Sequence, residues 1–252
     1  MSTEESVTAR PSLRQRRRAV AVREILSAAE SQITAHGPAA LSLRAVARDL
    51  GMTVQALYHY FPSRDDLVTA LITKAYNDLA EAVRAAVDTT PHGPERPRLV
   101  VAAEGYRGWA VAHPEQFQLL YGTPLRHYRA PVDGPTTQAQ RRISAIFQRE
   151  MFGGFTAEQL AGIESRPLSS AFGARIASLP GEGLGELPPP AAALLLSAWG
   201  CMHGLVVLEV FGHTEFLGEH QDEIFRTAMH DLWDDVQRRV PVTLPRSHPS
   251  GQ

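Results

Sequence analysis

Apolar residues recur at helical spacing along most of the 252-residue chain. Near the N-terminus, one such set shares a helix face at i, i+3, i+4, i+7 and i+11, namely Val22, Ile25, Leu26, Ala29 and Ile33. Glycine and proline, which end helices, stand between the periodic segments. No stretch shows the strict alternation of apolar and polar residues that is typical of a half-buried strand. The pattern therefore predicts an all-α fold.

Two helices are predicted at the start of the chain. The first spans about residues 15–36, and Gly37 suits its C-terminal stop. Ser42 is a favourable N-cap for the second, which is short. Gly51 then stands where a left-handed backbone conformation is favourable for glycine. This succession predicts a tight turn after the second helix.

A third, very short helix is predicted directly after that turn. Thr53 is its N-cap, and Phe61 ends it because a residue before proline is pushed towards extended geometry. Ser63, with Asp66 three residues later, is typical of a capping box at the start of a fourth helix. Two short helices joined by a tight turn, behind a bracing first helix, predict a helix-turn-helix unit over 42–61.

The second half of the chain is also predicted to be helical. The pattern favours helices over 96–113, from Pro114 onwards, over 138–152, over 156–179 as one or two pieces, from Pro189 or Pro190 to Phe211, and over 216–239. Glycine- and proline-rich loops are expected at 131–135 and 180–190. In the last helix the predicted inward residues are Ile224, Phe225, Met229, Leu232, Trp233 and Val236.

The charge of the chain is unevenly distributed. The formal net charge is −2, but from Arg10 to Arg64 nine arginines face only three acidic residues, a local charge of +6. Such a segment indicates a face for a polyanion, although a solvated tail would look the same. The one cysteine, Cys201, excludes an internal disulfide framework and a cysteine-based zinc site. With no apolar leader segment at the N-terminus, we expect a cytoplasmic protein.

One segment is apolar enough to raise the question of a membrane. Residues 191–208 carry no formal charge over 18 positions, the lower limit for a spanning helix. His203 lies inside this segment, and Glu209 rather than lysine or arginine ends it. We therefore expect no membrane span and a helix buried in a core or at a subunit interface.

The short third helix carries an unusual surface. Leu57 and Phe61 are expected to face inward, which leaves a run of large polar rings outside. In a helix-turn-helix unit this helix enters the major groove of DNA. The candidate DNA-binding residues are Arg44, Thr53, Val54, Gln55, Ala56, Tyr58, His59, Tyr60, Ser63 and Arg64.

Each candidate has a chemical role to play at DNA. Gln55 can pair bidentately with adenine, and Ala56 can touch a thymine methyl group. The tyrosine hydroxyls, His59 and the helix start at Ser63 can reach phosphate. The arginines beside the first helix could lie along the DNA backbone or in the minor groove, namely Arg14, Arg16, Arg17 and Arg18. Singly, each of these residues could instead be an ordinary half-buried or solvated surface group.

The segment LSLRAVARDLGMTVQALYHYFPSRDDLVTAL resembles the DNA-binding domain of the tetracycline-repressor (TetR) family over about 17–71. The resemblance implies a dimeric, all-α bacterial transcription regulator, usually a repressor released from a palindromic operator by a small molecule. The family's contact positions fall on the candidate residues above. Arg64 stands where the family usually has lysine, which keeps the charge.

The C-terminal half is similar to one subgroup of that family. HPEQFQLLYG and AWGCMHGLVVLE match its regulatory domain, whose Trp-x-x-x-His-Gly signature falls on Trp199, His203 and Gly204. The resemblance implies a disordered arm over 1–14, a DNA-binding domain over 15–75, a regulatory domain over 76–241 and a tail over 242–252. Homodimer contacts are expected through the helices at 190–212 and 216–239.

A small-molecule pocket is expected among the aromatic and sulfur-bearing residues of the regulatory domain. The candidate ligand-binding residues are Tyr106, Trp109, Phe117, Tyr121, Phe147, Met151, Phe172, Trp199, Met202 and His203. Taken one by one, most of them are better interpreted as plain core packing. The sequence leaves open whether the segment 152–190 contributes to the pocket.

Two other functions are compatible with parts of the sequence. A cluster of His213, Glu215, Glu219 and His220 could bind a metal ion and support an enzyme. A protein that reuses the fold as a non-catalytic adaptor would need no DNA contact. The chain shows no nucleophile motif and no phosphate-binding loop, so we expect no catalytic residue, no metal and no cofactor.

Overall fold

The computed structural model describes residues 12–122, 128–131, 133–179 and 183–241. Within these ranges the regular structure is helical, with one isolated β-bridge between Gly93 and Arg96, so the all-α prediction is confirmed. The helices are α1 Leu13–His36, α2 Leu43–Asp49, α3 Val54–Tyr58, α4 Arg64–Thr89, α5 Arg98–Ala112, α6 Pro114–Tyr121, α7 Pro135–Phe152, α8 Ala157–Ala161, α9 Ser170–Ala177, α10 Pro189–Val210 and α11 Gln221–Arg239.

The chain forms two compact units, and the boundary between them falls within α4. The first unit holds the chain up to Ala75 together with the segment Glu115–Thr136. The second holds Tyr76–Pro114 and the chain from Thr137 onwards. Most of the predicted arm at 1–14 and all of the tail at 242–252 lie outside the described residues.

Helix α1 begins earlier than the sequence pattern predicts. Ser12 caps it, because the Ser12 hydroxyl accepts a hydrogen bond from the Gln15 backbone N–H at 3.2 Å. The Gln15 side chain returns a bond to the Ser12 backbone N–H at 2.7 Å, which completes a capping box. Gly37 ends the helix at a φ of 77°, as predicted.

The core of the first unit joins its helices. Leu57 of α3 is fully buried against side chains of α1, α2 and α4, among them Ile25, Val46 and Leu71. Phe61 belongs to the same cluster, so the predicted inward face of the short helix is confirmed. A five-residue helix is marginal alone, and this burial is what stabilises α3.

The turn between α2 and α3 follows the prediction, but two caps differ. Gly51 has a φ of 64°, and Thr53 Oγ1 accepts from the Ala56 N–H at 3.1 Å. Ser42 is the N-cap residue of α2, as predicted, but its side chain makes no capping hydrogen bond. At α4, Ser63 Oγ accepts from the Asp66 N–H, but the Asp66 carboxylate accepts from the Ser63 hydroxyl and not from the Ser63 backbone N–H, as a capping box would require.

The second unit packs α5 against α10 and α11. Its largest fully buried side chains include Tyr106, Ile143, Met151 and Met229. The predicted 156–179 segment consists of two short helices, α8 and α9, and α7 begins at Pro135 because proline suits the first turn of a helix.

The last helix begins later than predicted. Gly218 has a φ of 56° and a ψ of −128°, which interrupts the turn at Glu215–His220, so the regular helix starts at Gln221. Ile224 is 48% exposed, and its predicted inward orientation is wrong. Phe225, Met229 and Val236 are buried as predicted.

Candidate nucleic-acid interface and interior cavity

Helix α3 presents its polar residues on the side opposite Leu57. Gln55, Tyr58 and His59 are exposed, and Tyr58 is exposed by 41% although it is a large aromatic residue. Thr53 is exposed as well, and its capping bond fixes the first turn of the helix. The N-terminal turn of α3 is therefore held rigidly while its outer side chains stay accessible.

Other predicted contact residues are partly buried. Val54 and Tyr60 pack at the edge of the first-unit core, and Ala56 is half-buried. The half-buried Arg64 donates from Nε to the carbonyl oxygen of Leu41 at 3.5 Å, which ties the start of α4 to the α2 entrance. Arg44 is exposed on the first turn of α2.

Arg18 joins α1 to the end of α3. Its Nη1 donates to the backbone carbonyl of His59 at 3.2 Å, and its Cζ lies 5.3 Å from the ring centroid of Tyr60. The sequence pattern groups Arg18 with the arginines expected along DNA and gives no sign of this contact. The two partners are 41 residues apart, and no local sequence signal marks a pair at that separation.

The arginines of the first unit can neutralise DNA phosphates. Helix α3, the second helix of the helix-turn-helix unit, is exposed and capped, so its side chains can reach base edges in the major groove. The arrangement defines a helix-turn-helix DNA-binding protein. Its particular family follows from comparison with known proteins.

The family model described as "Bacterial regulatory proteins, tetR family" matches residues 25–71. The model described as "Tetracyclin repressor-like, C-terminal domain" matches residues 99–232, more than half of the chain. The chain belongs to the tetR family of bacterial transcription regulators. Its assignment to the Trp-x-x-x-His-Gly subgroup stays a prediction.

Several relatives are similar over most of their length. The chain is 35% identical over 193 residues to the HTH-type transcriptional regulators Rv1816 of Mycobacterium tuberculosis and Mb1846 of Mycobacterium bovis, covering 75% of this chain and 80% of each relative. A crystal structure of a regulatory protein, SCO4313, is 31% identical with a TM-score of 0.69 and covers 88% of this chain and 98% of that one. A protein from Rhodococcus sp. RHA1, 23% identical with a TM-score of 0.62, covers 91% and 98% and shares the fold.

The second unit assembles four of the predicted ligand-binding residues into one aromatic cluster. The Tyr106 hydroxyl shares a 2.8 Å hydrogen bond with Nδ1 of His203. The His203 ring stacks on Trp199 at a centroid distance of 5.3 Å, and Phe147 meets Trp199 edge-on at 5.7 Å. Burial lowers the pKa of His203, which favours its neutral ring.

A narrow apolar cavity of about 20 Å³ lies beside this cluster. It is lined by Leu99, Ala103, Phe147, Met151, Leu195, Ala198, Trp199, Met202, Met229 and Leu232. This volume has room for about one water molecule. The cavity is therefore nearly closed by its own side chains.

The remaining predicted ligand-binding residues lie elsewhere. Trp109 stacks on His113 at 5.1 Å, and Phe172 is half-buried on α9. Phe117 and Tyr121 belong to the first unit, where their ring centroids are 5.1 Å apart. The structure thus gathers only part of the predicted set around one cavity.

Two further features bear on the alternative functions. Within the described ranges, no three histidine, cysteine or acidic residues come together as a metal site, so the metal cluster proposed around His213 is not assembled. Helix α10 is long and apolar enough to cross a membrane by length and composition, and 33% of its most apolar window is buried. Two leucines of α10 are exposed, Leu196 by 44% and Leu208 by 42%.

Proposed function

We propose that the chain is a homodimeric repressor that binds a palindromic operator through α3 and is released by a small molecule. The capped α3 with exposed Gln55, Tyr58 and His59 supports the operator-binding part of this proposal. Gln55 would read a base edge in the major groove, and the other side chains would hold phosphates. We further propose that it acts in the cytoplasm, where its operator would be.

The proposed contact residues divide by their surroundings. Gln55, Tyr58, His59 and Arg44 are exposed and would touch DNA directly. Val54 and Ala56 are half-buried and would meet bases only with their outer atoms. The remaining proposed contacts would donate hydrogen bonds to the DNA phosphates, mainly from backbone amides or hydroxyls. They are Thr53, Tyr60, Ser63 and Arg64.

A dimer through α10 and α11 explains the exposed apolar surface. Leu196, Gly200, Gly204 and Leu208 recur every four residues on α10, and Leu208 is exposed by 42%. Ile224 on α11 is 48% exposed. A second copy packed there would bury these side chains and bring two glycines close to its backbone. Two-fold symmetry would then set two α3 helices about 34 Å apart, one turn of DNA.

Release by an effector would act through α4, because that helix belongs to both compact units. A ligand that prefers the released state by about 10⁴-fold would change a 1:99 population to 99:1. The aromatic cluster around Tyr106 and His203 is the proposed region of response, since their hydrogen bond places a part-buried polar pair in the second unit.

Selection of bound sequences from random DNA tests the operator-binding part. We expect a palindrome with half-sites one turn apart, and the same motif upstream of the gene for this chain. The logarithm of the binding constant should fall with the logarithm of salt concentration by about 0.9 for each phosphate contacted. A dimer that binds all sequences equally, or none in dilute salt, would contradict the proposal.

A further inference from the structure

The second unit contains a carboxylate that is almost wholly buried between two arginines. The Glu150 side chain is 2% exposed. Arg98 donates from Nε to its Oε2 at 2.6 Å, and Arg149 donates from Nε to its Oε1 at 2.7 Å. Arg98 also contacts Nε2 of His92 at 3.1 Å through its Nη1. No part of the proposed DNA-binding surface uses this cluster.

The Glu150 carboxylate holds both arginines, and Asp88 also attracts Arg98 electrostatically. Burial alone would raise the pKa of Glu150, but hydrogen bonds from Arg98 and Arg149 outweigh it and hold that pKa below its usual value. The bond to Glu150 also raises the pKa of Arg98. Both arginine side chains keep solvent-exposed surface beside the buried carboxylate, 39% for Arg98 and 55% for Arg149. Glu150 thus fixes two cationic groups in place without neutralising both.

These arginines line an open cavity of about 650 Å³. Its other walls are mainly apolar, and they include Met151, Phe155 and Trp233. This volume is within the range of small-molecule sites, whereas the narrow cavity of about 20 Å³ is not. A ligand of ordinary size would therefore enter at the arginines and not among the predicted aromatic residues.

Met151 connects the two spaces. Its buried side chain lines both the arginine-lined cavity and the narrow apolar cavity beside Phe147 and Trp199. Methionine is unbranched and adapts its shape, so a ligand chain could move it aside and reach the aromatic cluster. Another cavity of about 640 Å³, lined by Ser197 and Arg238 among others, shares no lining residue with the narrow apolar cavity, so a ligand there would have no such route to the aromatic cluster.

We infer that the effector is an amphipathic monocarboxylate, with its carboxylate held by Arg98 and Arg149 and its apolar chain directed past Met151. Guanidinium groups recognise carboxylates by paired hydrogen bonds, and the apolar walls exclude a second charge. This inference rests on the proposed effector-controlled repression for its regulatory meaning. The binding site itself can be tested without DNA.

Calorimetric titration with decanoate, decanol and acetate measures how much the carboxylate and the apolar chain each contribute to binding. Decanoate should bind, with an affinity that rises roughly three- to fourfold per methylene across shorter fatty acids. Decanol, which has no carboxylate, and acetate, which has no chain, should bind at least about tenfold more weakly. Equal affinity for decanol and decanoate would overturn the inference.

Three variants locate the site. Arg149→Gln and Arg98→Gln should each weaken decanoate binding about tenfold or more and leave decanol binding unchanged. Met151→Trp should weaken decanoate but spare butyrate, whose chain does not pass that residue. Arg175→Gln, an exposed arginine on α9, is the matched control and should bind as the unchanged protein does. Unchanged decanoate affinity in both arginine variants would show that decanoate does not bind at this site.

Operator binding by the same preparations distinguishes the two proposals. Operator affinity measured without decanoate tests only the proposed function. The two arginine variants should bind the operator as tightly as the unchanged protein under that condition. Decanoate should then lower operator affinity for the unchanged protein at least about tenfold, a change in the range of known coupling between sites. Tight decanoate binding with no change in operator affinity would overturn its role as the effector class.

Discussion

The guanidinium of Arg18 lies 5.3 Å from the ring centroid of Tyr60 and bonds at 3.2 Å to the neighbouring His59 carbonyl. These two contacts connect α1 to the C-terminal end of α3. Since α3 has only five residues, its orientation depends on what holds its ends. The Thr53 cap holds one end, and Arg18 holds the other.

Loss of this contact should lower stability. We expect Arg18→Gln to reduce the free energy of unfolding of the first unit by about 1 kcal/mol, since it removes a cation–π contact and a charged hydrogen bond at an exposed site. Urea denaturation followed by circular dichroism measures the change. Arg17→Gln is the control, because Arg17 is exposed, and it should stay within about 0.5 kcal/mol of the unchanged protein. If Arg18→Gln and Arg17→Gln unfold at the same urea midpoint, the contacts of Arg18 do not contribute to stability.

Gln55 should determine specificity at one operator position. Gln55→Ala should cost about 1–3 kcal/mol on the operator and almost nothing on random DNA, because a bidentate contact with a base edge is lost. Competition binding against all four base pairs at each operator position checks this. Equal losses on operator and random DNA would mean that Gln55 does not read a base.

Tyr58→Phe is the matched control for that experiment. It keeps the ring and removes a hydroxyl proposed to reach phosphate, so binding should weaken about equally on every sequence. A loss confined to the operator would instead assign base reading to Tyr58.

Acid should destabilise the second unit through His203. Burial lowers the pKa of His203, so below about 6.5, the ordinary histidine pKa, the unfolded chain binds a proton more readily than the folded chain. The stability that comes from the neutral ring is complete above that pH and is lost as pH falls further. We expect His203→Gln, which keeps a hydrogen-bonding group near Tyr106 without titrating, to lose less Tm between about pH 7.5 and about pH 5.5. Parallel pH dependence in both proteins would contradict this.

A single charged substitution tests the proposed dimer surface. Leu208→Asp should place a carboxylate in the proposed α10 interface and shift the chain towards monomer, because an unpaired buried charge is costly. Sedimentation analysis measures the assembly, and operator affinity should fall with it. Val111→Asp is the control, since Val111 is also an exposed apolar residue, 46% exposed, and belongs to α5 and not to either proposed interface helix. Dimers that persist in Leu208→Asp would place the interface elsewhere.

The sequence by itself determined the helices, the turn and the family. Apolar spacing marked the buried face of α1, the glycine at 51 marked a positive φ of 64°, and Thr53 marked the start of α3. These features are local, since a cap or a turn involves residues three or four positions apart. At the start of α4 the predicted pairing of Ser63 with Asp66 is found, but the Asp66 carboxylate accepts from the Ser63 hydroxyl and not from its backbone N–H.

Tertiary structure alone decided which distant side chains meet. Arg18 finds His59 across 41 residues, Arg98 finds Glu150 across 52, and Tyr106 finds His203 across 97. Helical periodicity fixes the face on which a residue lies but not the helix it faces, because many helix pairings would bury the same apolar stripe. For this reason the recognition helix could be read from the sequence, while the arginine-bound carboxylate and its cavity became visible only after the helices were packed.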